Sequence, residues 1–286
     1  METKLVRSKE RYQRLLRHAQ ALPPVTTAVA HPCDEVSLQG AVEAARLGLI
    51  APILVGPPER IRSIAERAGF DISGFPLKEA AHSHDSADKA VELVREGKAE
   101  ALMKGSLHTD ELMSAVVARE TGIRTARRIS HCFVMDVPGY KDPLIITDAA
   151  VNIAPDLEAK VDIVQNAIDL GHALLFPEVR VAILSAMETV NPKVSSTIEA
   201  AAIKEIVSPV AGRANVLVVP DLEAGNMLAK SLSFLAGADA AGIVLGARVP
   251  IILTSRADTV VARLASCAVA SLVAEARRRS AGAAIR

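Results

Sequence analysis

Short runs of Val, Ile and Leu recur along the chain, each followed by a turn and then by an amphipathic stretch rich in Ala, Leu, Glu and Arg. The runs predict strands at 26–30, 50–55, 101–103, 133–136, 144–147, 179–185, 216–219, 242–245 and 251–254. They are continuous, not alternating, which is the pattern of strands buried on both faces. The stretches between them predict helices at 35–47, 58–68, 86–96, 110–118, 156–170 and 259–278. Strand–helix alternation of this kind predicts an α/β fold, with helices layered on a mostly parallel sheet. Two turn-rich stretches, 137–143 and 246–250, are the candidate boundaries. They divide the chain into a first α/β domain of 1–137 plus 247–286 and a second of 138–246.

The 286 residues balance 33 Lys and Arg against 33 Asp and Glu, half the chain is hydrophobic, and only 2% is aromatic. So much apolar surface excludes intrinsic disorder. Without a basic excess or aromatic faces, a general nucleic-acid binder is excluded as well. The most apolar stretch, 236–254, is broken by Asp239, Arg248 and Pro250, too many breaks for a spanning helix. The N-terminus is charged and amphipathic, with no apolar signal core, so a cytoplasmic protein is expected. Cys33, Cys132 and Cys267 have no CxxC spacing, which argues against a disulfide framework or a zinc site. His31, His131 and His172 show no metal-ligand spacing and read as structural histidines.

Ligands of open α/β sheets collect beyond the carboxyl ends of the strands. Polar loops in that position are HPCDE (31–35), KGSLHTD (104–110), TDAAVN (147–152), SAMETVNP (185–192), PDLEAGN (220–226) and TSRAD (254–258). None has the GxxxxGK[ST] or GxGxxG form, so NTP hydrolysis and nicotinamide chemistry lose their usual support. In TSRAD, Asp258 can cap the helix starting near Thr259. It can equally accept a proton, with Arg256 holding a phosphate and Ser255 a developing oxyanion. In KGSLHTD, Lys104 with backbone N–H groups suits an anion, though the same composition fits a solvated loop whose helix Thr109 or Asp110 caps. Of Arg127 and Arg128, one aimed inward would suit a phosphate. Asp148 and Asn152 flank three small residues where backbone can approach a ligand, and Asp148 also reads as a turn residue.

Taken together, these loops resemble the phosphate acetyl/butyryltransferase family, especially its butyryltransferase-like members. The likeness runs from HPCDEVSLQGAVEAARLGLIAPILVGP through LMKGSLHTDEL and ITDAAVNIAPDLEAK to VPDLEAGNMLAKSLSFLAGADAAGIVLGARVPIILTSRAD. The resemblance implies two α/β domains of the isocitrate/isopropylmalate dehydrogenase type, with the active site in the cleft between them. It implies acyl transfer between coenzyme A and orthophosphate in a ternary complex, with coenzyme A as a substrate and no bound cofactor or metal. Acetyl and butyryl are the candidate groups, and a homodimer or larger homo-oligomer is expected. Carried over by motif, Asp258 takes the proton of the coenzyme A thiol, Ser255 supports the charged transition state and Arg256 assists with phosphate or coenzyme A. Arg128 matches the family's phosphate-holding arginine. Lys104, Ser130, Asp148, Asn152 and Asn226 join it as substrate-binding candidates.

The chain departs from the family pattern in three places. Asp148-Ala149 stands where acetyltransferases often have Asp-Cys, and LHTDELMSAV lacks a helix arginine, a duty Lys104 would assume. After SSTIEAAA the chain also passes straight to IKEIVSPVAG, where relatives carry a longer segment with a glycine-rich GPLxFD element. A deletion at that join, near Ala202, would touch the substrate pocket. This is the one feature favouring a non-catalytic protein that binds coenzyme A or acyl phosphate on the same fold.

Overall fold

The computed structural model describes residues 2–187, 189–204, 214–255 and 258–284. In chain order its first elements are α1 (Glu2–Gln20), β1 (Val25–Ala30), α2 (Glu35–Arg46), β2 (Ile50–Gly56), α3 (Pro58–Ala68) and β3 (Leu77–Glu79). There follow α4 (Ser83–Arg95), β4 (Ala101–Lys104), α5 (Thr109–Val117), β5 (Ser130–Asp136), β6 (Leu144–Thr147), α6 (Leu157–Ala173) and β7 (Val181–Ile183). The last are α7 (Ser195–Lys204), β8 (Val216–Val218), α8 (Leu222–Ala236), β9 (Asp239–Leu245), β10 (Ile251–Ile252) and α9 (Val260–Ala284). They form two compact units, a larger one of Gln13–Ala126 with Gly242–Arg286 and a smaller one of Met1–Tyr12 with Arg127–Ala241.

The larger unit has the strand order β3-β2-β1-β4-β10-β9, parallel throughout except that β9 runs antiparallel to β10. Its central strands are buried along nearly their whole length, which is why they read as unbroken apolar runs. Helices cover the sheet through short i, i+3, i+4 sets: Leu38, Ala41 and Val42 on α2, and Ile61, Ile64 and Ala65 on α3. Pro58 opens α3, and Gly69, at φ 70, closes it in the left-handed conformation that glycine tolerates. The C-terminal helix α9 is part of this unit. Leu264, Cys267, Ala268 and Val269 are buried, and the Ser271 hydroxyl donates to the Leu49 carbonyl at 2.8 Å.

In the smaller unit the order is β5-β6-β8-β7, with β5 and β6 antiparallel and the rest parallel. The turn-rich 137–143 segment therefore joins an antiparallel pair. Met135, Leu144, Ile146, Val219 and Ala229 form its core. The Lys160 ammonium, also buried, is ion-paired with Glu199 across α6 and α7. Helix α7 runs unbroken across Ala202.

Four expectations are corrected. PDLEAGN is not a loop: Asp221 caps α8 by accepting from the Ala224 N–H at 2.8 Å, so residues 222–226 form the first turns of that helix. The helix at 109 is preceded by His108 as its N-cap residue, whose N–H donates to Glu111 Oε2 at 2.6 Å, so neither Thr109 nor Asp110 caps it. The helix after TSRAD is capped by the Thr259 hydroxyl, which accepts from the Ala262 N–H at 3.1 Å, not by Asp258. The segment at 179–185 is strand only over Val181–Ile183.

Candidate active site

Lys104, Asp148 and Ser255 lie at or just beyond the carboxyl ends of β4, β6 and β10, Arg128 and Ser130 lie at the start of β5 and Asn226 on α8, so each unit carries its own set. In the larger unit, β10 ends at Ile252 and the chain turns through Thr254 and Ser255 into α9. The Ser255 N–H donates to Asp258 Oδ2 at 2.6 Å, closing the turn and leaving the carboxylate half-buried. Arg263, one turn into α9 and only 3% exposed, reaches back beneath this loop. Its guanidinium donates to the Ser255 carbonyl at 2.7 Å, the Thr254 hydroxyl at 3.3 Å and the Asp258 carbonyl at 3.4 Å. Arg256 lies outside the described residues.

Arg263 was not singled out from the sequence. Its signal is an arginine within the apolar VVARLASCAVASLV face, where a buried guanidinium calls for nearby acceptors, here met through its two terminal nitrogens. The arrangement predicts a positioning role. Arg263→Met is expected to lower turnover about 100-fold while changing the Michaelis constants less, because the loop loses its anchor and not a substrate contact. Arg263→Lys keeps the charge without the fork and should recover only part of the rate. Steady-state kinetics of both variants, with circular dichroism to confirm folding, check this.

Beside it in the same sheet, β4 ends at Lys104, which is 6% exposed and donates from Nζ to its neighbour's Gly105 carbonyl at 3.3 Å. Gly105 and Ser106 run against the end of β1. Their N–H groups donate to the Ala30 and His31 carbonyls, both at 2.9 Å, and the Ser106 hydroxyl donates to the His31 carbonyl at 2.9 Å. The His31 ring contacts the Ser86 hydroxyl at 3.0 Å, and burial, then the nearby Arg60, push its pKa down. A cavity of about 390 Å³ opens beside this loop, lined by Cys33, Asp34, Arg60, Ser63 and Arg67 among others.

The smaller unit holds the other candidates. Asp148 is 1% exposed and all its accepting capacity is used locally. Oδ1 takes the Ala150 and Val151 N–H groups at 2.9 and 3.0 Å, and Oδ2 takes the Asn152 N–H at 3.2 Å and its Nδ2 at 2.6 Å. Asn152 Nδ2 also donates to the Ile129 carbonyl at 2.9 Å, tying this loop to the chain entering β5. Asn226, on α8, donates to the Ala149 carbonyl at 3.4 Å. Gly225 makes that approach possible, since a Cβ there would lie 2.7 Å from the Asp148 carbonyl oxygen.

Arg128 presents an exposed side chain from a fixed backbone. Its N–H donates to Asp162 Oδ2 at 2.8 Å, and its carbonyl accepts from Asn166 Nδ2 at 2.9 Å. The same Asn166 amide donates to the Ser130 hydroxyl at 2.8 Å, and Ser130 is fully buried. Ser130 is thus linked to the Arg128 backbone only through Asn166 and has no exposed surface of its own. Arg127 is ion-paired with Asp169. Asn166 is a second residue the sequence did not mark; its signal is an amide on the apolar face of α6.

His131 is buried beside this loop, stacked edge-on to Phe133 at 4.5 Å. Burial pushes its pKa from the ordinary 6.5 down to about 4, with the Asp148 charge pulling the other way. The unfolded chain takes a proton near pH 6.5 and the folded chain resists it. Stability should therefore fall as pH drops from 6.5 towards 4, by up to roughly 1.4 kcal/mol per pH unit, and be unaffected above that window. His131→Gln should flatten this part of a urea-midpoint profile measured against pH.

Burial also pushes the Cys33 thiol to about 11 and those of Cys132 and Cys267 to about 12, so none is a ready nucleophile at neutral pH. Among the described residues, no three His, Cys, Asp or Glu side chains are grouped to hold a metal ion, and no helix is long and apolar enough to cross a membrane.

The ends of the strands thus carry a lysine, two arginines and two carboxylates on short, hydrogen-bonded turns, some in each unit. The model of the family described as "Phosphate acetyl/butaryl transferase" matches residues 79–209 and 198–271. A phosphate acetyltransferase of Rhizobium meliloti is 60% identical over 302 residues, covering 95% of each chain. A phosphate butyryltransferase of Clostridium acetobutylicum is 34% identical, covering 86% of this chain and 92% of its own. Among solved structures, a branched-chain phosphotransacylase from Enterococcus faecalis V583 superposes with a TM-score of 0.73 at 25% identity, covering 87% of this chain and 99% of its own. The chain belongs to the phosphate acetyl/butyryl transferase family and is an acyltransferase.

The Rhizobium alignment is longer than this 286-residue chain, so that relative carries stretches the chain lacks. The two family segments overlap across 198–209, the stretch that contains Ala202.

Proposed function

We propose that the protein transfers an acetyl group between coenzyme A and orthophosphate, directly, in a ternary complex. The observation that carries this reading is the 60% identity to a phosphate acetyltransferase over nearly the whole chain, against 34% to a butyryltransferase. In the proposed step the Asp258 carboxylate takes the proton of the coenzyme A thiol, and the thiolate attacks the carbonyl carbon of the acyl phosphate. A C–S bond forms, the C–O bond to phosphate breaks, and phosphate leaves with the bonding pair. Ser255, beside Asp258, supports the charge that develops on the carbonyl oxygen. Arg256 and Arg128 hold phosphate or coenzyme A, and Lys104 adds charge at the end of β4. Ser130, Asp148, Asn152 and Asn226 hold the backbone on which phosphate binding depends. Positioning and charge stabilisation suffice because both acyl donors are already activated. Coenzyme A is a substrate here, and the reaction calls on no bound cofactor.

The test of the acyl group is the ratio of initial rates with acetyl phosphate and butyryl phosphate. A clear acetyl preference is expected, and equal or reversed rates would move the assignment to the butyryl branch. The missing internal stretch favours a second reading, a protein that binds these substrates without turning them over. Binding of coenzyme A by a folded chain that releases no phosphate from any acyl phosphate would select it.

A further inference from the structure

We propose a second anion site, for a ligand with two or more linked phosphate groups, at the end of the larger unit where its strands begin. The inference does not depend on the acyltransfer reading. A cavity of about 760 Å³ lies there, and the guanidinium-bearing side chains of Arg95, Arg119, Arg124 and Arg248 line it. Arg95 is in the last turn of α4, just before β4; Arg119 and Arg124 follow α5; Arg248 precedes β10. The Lys104 and Ser255 loops leave from the other ends of β4 and β10, so this cavity is separate from the site described above.

The floor is built and held. Arg124 bridges Ala247 in antiparallel register, the Arg248 N–H donates to the Ile123 carbonyl at 2.9 Å, and the Thr125 hydroxyl donates to the Gly246 carbonyl at 2.6 Å. Arg277 clamps the same segment from below, donating to the Ala247 and Arg248 carbonyls at 3.2 and 2.7 Å. Two arginines are thereby fixed on adjacent backbone segments.

Among the described residues, none of the four guanidinium groups makes a hydrogen bond or an ion pair within 4 Å. Three carboxylates also line the cavity, Glu92, Glu96 and Glu120. Two of them are already answered from outside it, Glu92 by Lys78 at 3.3 Å and Glu96 by Lys98 at 2.8 Å. What remains is a concave surface with excess positive charge in planar forks, the geometry that matches phosphate oxygens in pairs. Four such groups across this volume exceed the needs of one orthophosphate, which is why the linked phosphates are specified.

The experiment is calorimetric titration of the whole protein with pyrophosphate and tripolyphosphate, with orthophosphate for comparison. It is run on the unaltered chain, on Arg124→Ala/Arg248→Ala and on Arg128→Ala, the last to mark any binding in the acyltransfer site. The expected result is a pyrophosphate site that weakens as salt rises, becomes at least about 10-fold weaker in the Arg124/Arg248 variant and persists in Arg128→Ala. If the double variant fails to fold by circular dichroism, Arg95→Ala/Arg119→Ala, altered only at exposed side chains, should show the same loss. Unchanged pyrophosphate affinity in a folded variant of either pair, or no binding to the unaltered chain at millimolar pyrophosphate, would overturn the proposal.

Discussion

Replacing Asp258 by Asn is expected to reduce acetyl phosphate-dependent thioester formation by about 100- to 10,000-fold, the usual worth of a positioned general base. The substitution isolates the proton. Asn keeps the size of the side chain and still offers an amide oxygen to the Ser255 N–H, the 2.6 Å contact that closes the turn. Arg263 still holds the Ser255 and Asp258 carbonyls from below. Loop geometry and coenzyme A affinity should therefore survive while turnover collapses. A second signature follows from the chemistry: raising the pH supplies more thiolate from coenzyme A itself and should restore part of the lost rate. Near-normal turnover in Asp258→Asn would remove Asp258 as the base.

Gly105→Ala is expected to cost about 3 kcal/mol or more, lowering the thermal unfolding midpoint by roughly 10 °C. A Cβ at this position would stand 2.4 Å from the Ala30 carbonyl oxygen and 2.5 Å from that of His31. Both neighbours are backbone, so no side chain can rotate away, and the ends of β1 and β4 must separate. Their separation stretches the Gly105 and Ser106 hydrogen bonds that hold the Lys104 loop, so turnover should fall together with stability. Gly74→Ala is the matched control, because a Cβ there meets nothing within 4 Å, and it should change stability by less than about 0.5 kcal/mol. Scanning calorimetry of the two variants side by side makes the comparison.

The strands were legible in the sequence wherever burial on both faces makes a continuous apolar run, as in β1 and β4. Helix α3 could be read to the residue, because Pro58 starts it and Gly69 stops it. Helix α8 was obscured. LEAGN looks like a loop because Gly and Asn disfavour helix interiors. Gly225 is there because α8 packs its first turn against the Asp148 backbone, a reason that exists only in three dimensions. Turn residues at 137–143 signalled a sharp change of direction, and the same residues serve a connection between antiparallel strands as well as one between domains.

The same division holds for the candidate site. Loops at strand ends were recognisable from where they fall after apolar runs, so Lys104, Asp148 and Ser255 could be named in advance. Their supports could not be. Arg263 and Asn166 come from apolar helical faces, and what distinguishes them is the carbonyls and hydroxyls they reach back to, up to 38 positions away in sequence. Arg128 and Ser130 are two positions apart but have different duties, because Arg128 lies ahead of β5 with an exposed side chain, whereas Ser130 opens the strand and is buried against Asn166.

The account turns on whether this internally shortened chain still carries out the exchange between acyl phosphate and coenzyme A. The direct measurement is to mix the purified protein with acetyl phosphate and coenzyme A and follow thioester and orthophosphate together. The account predicts that both appear in equal amounts and at equal rates, with no phosphate released when coenzyme A is left out. Coenzyme A binding by a folded chain with no thioester formed from acetyl or butyryl phosphate would contradict it.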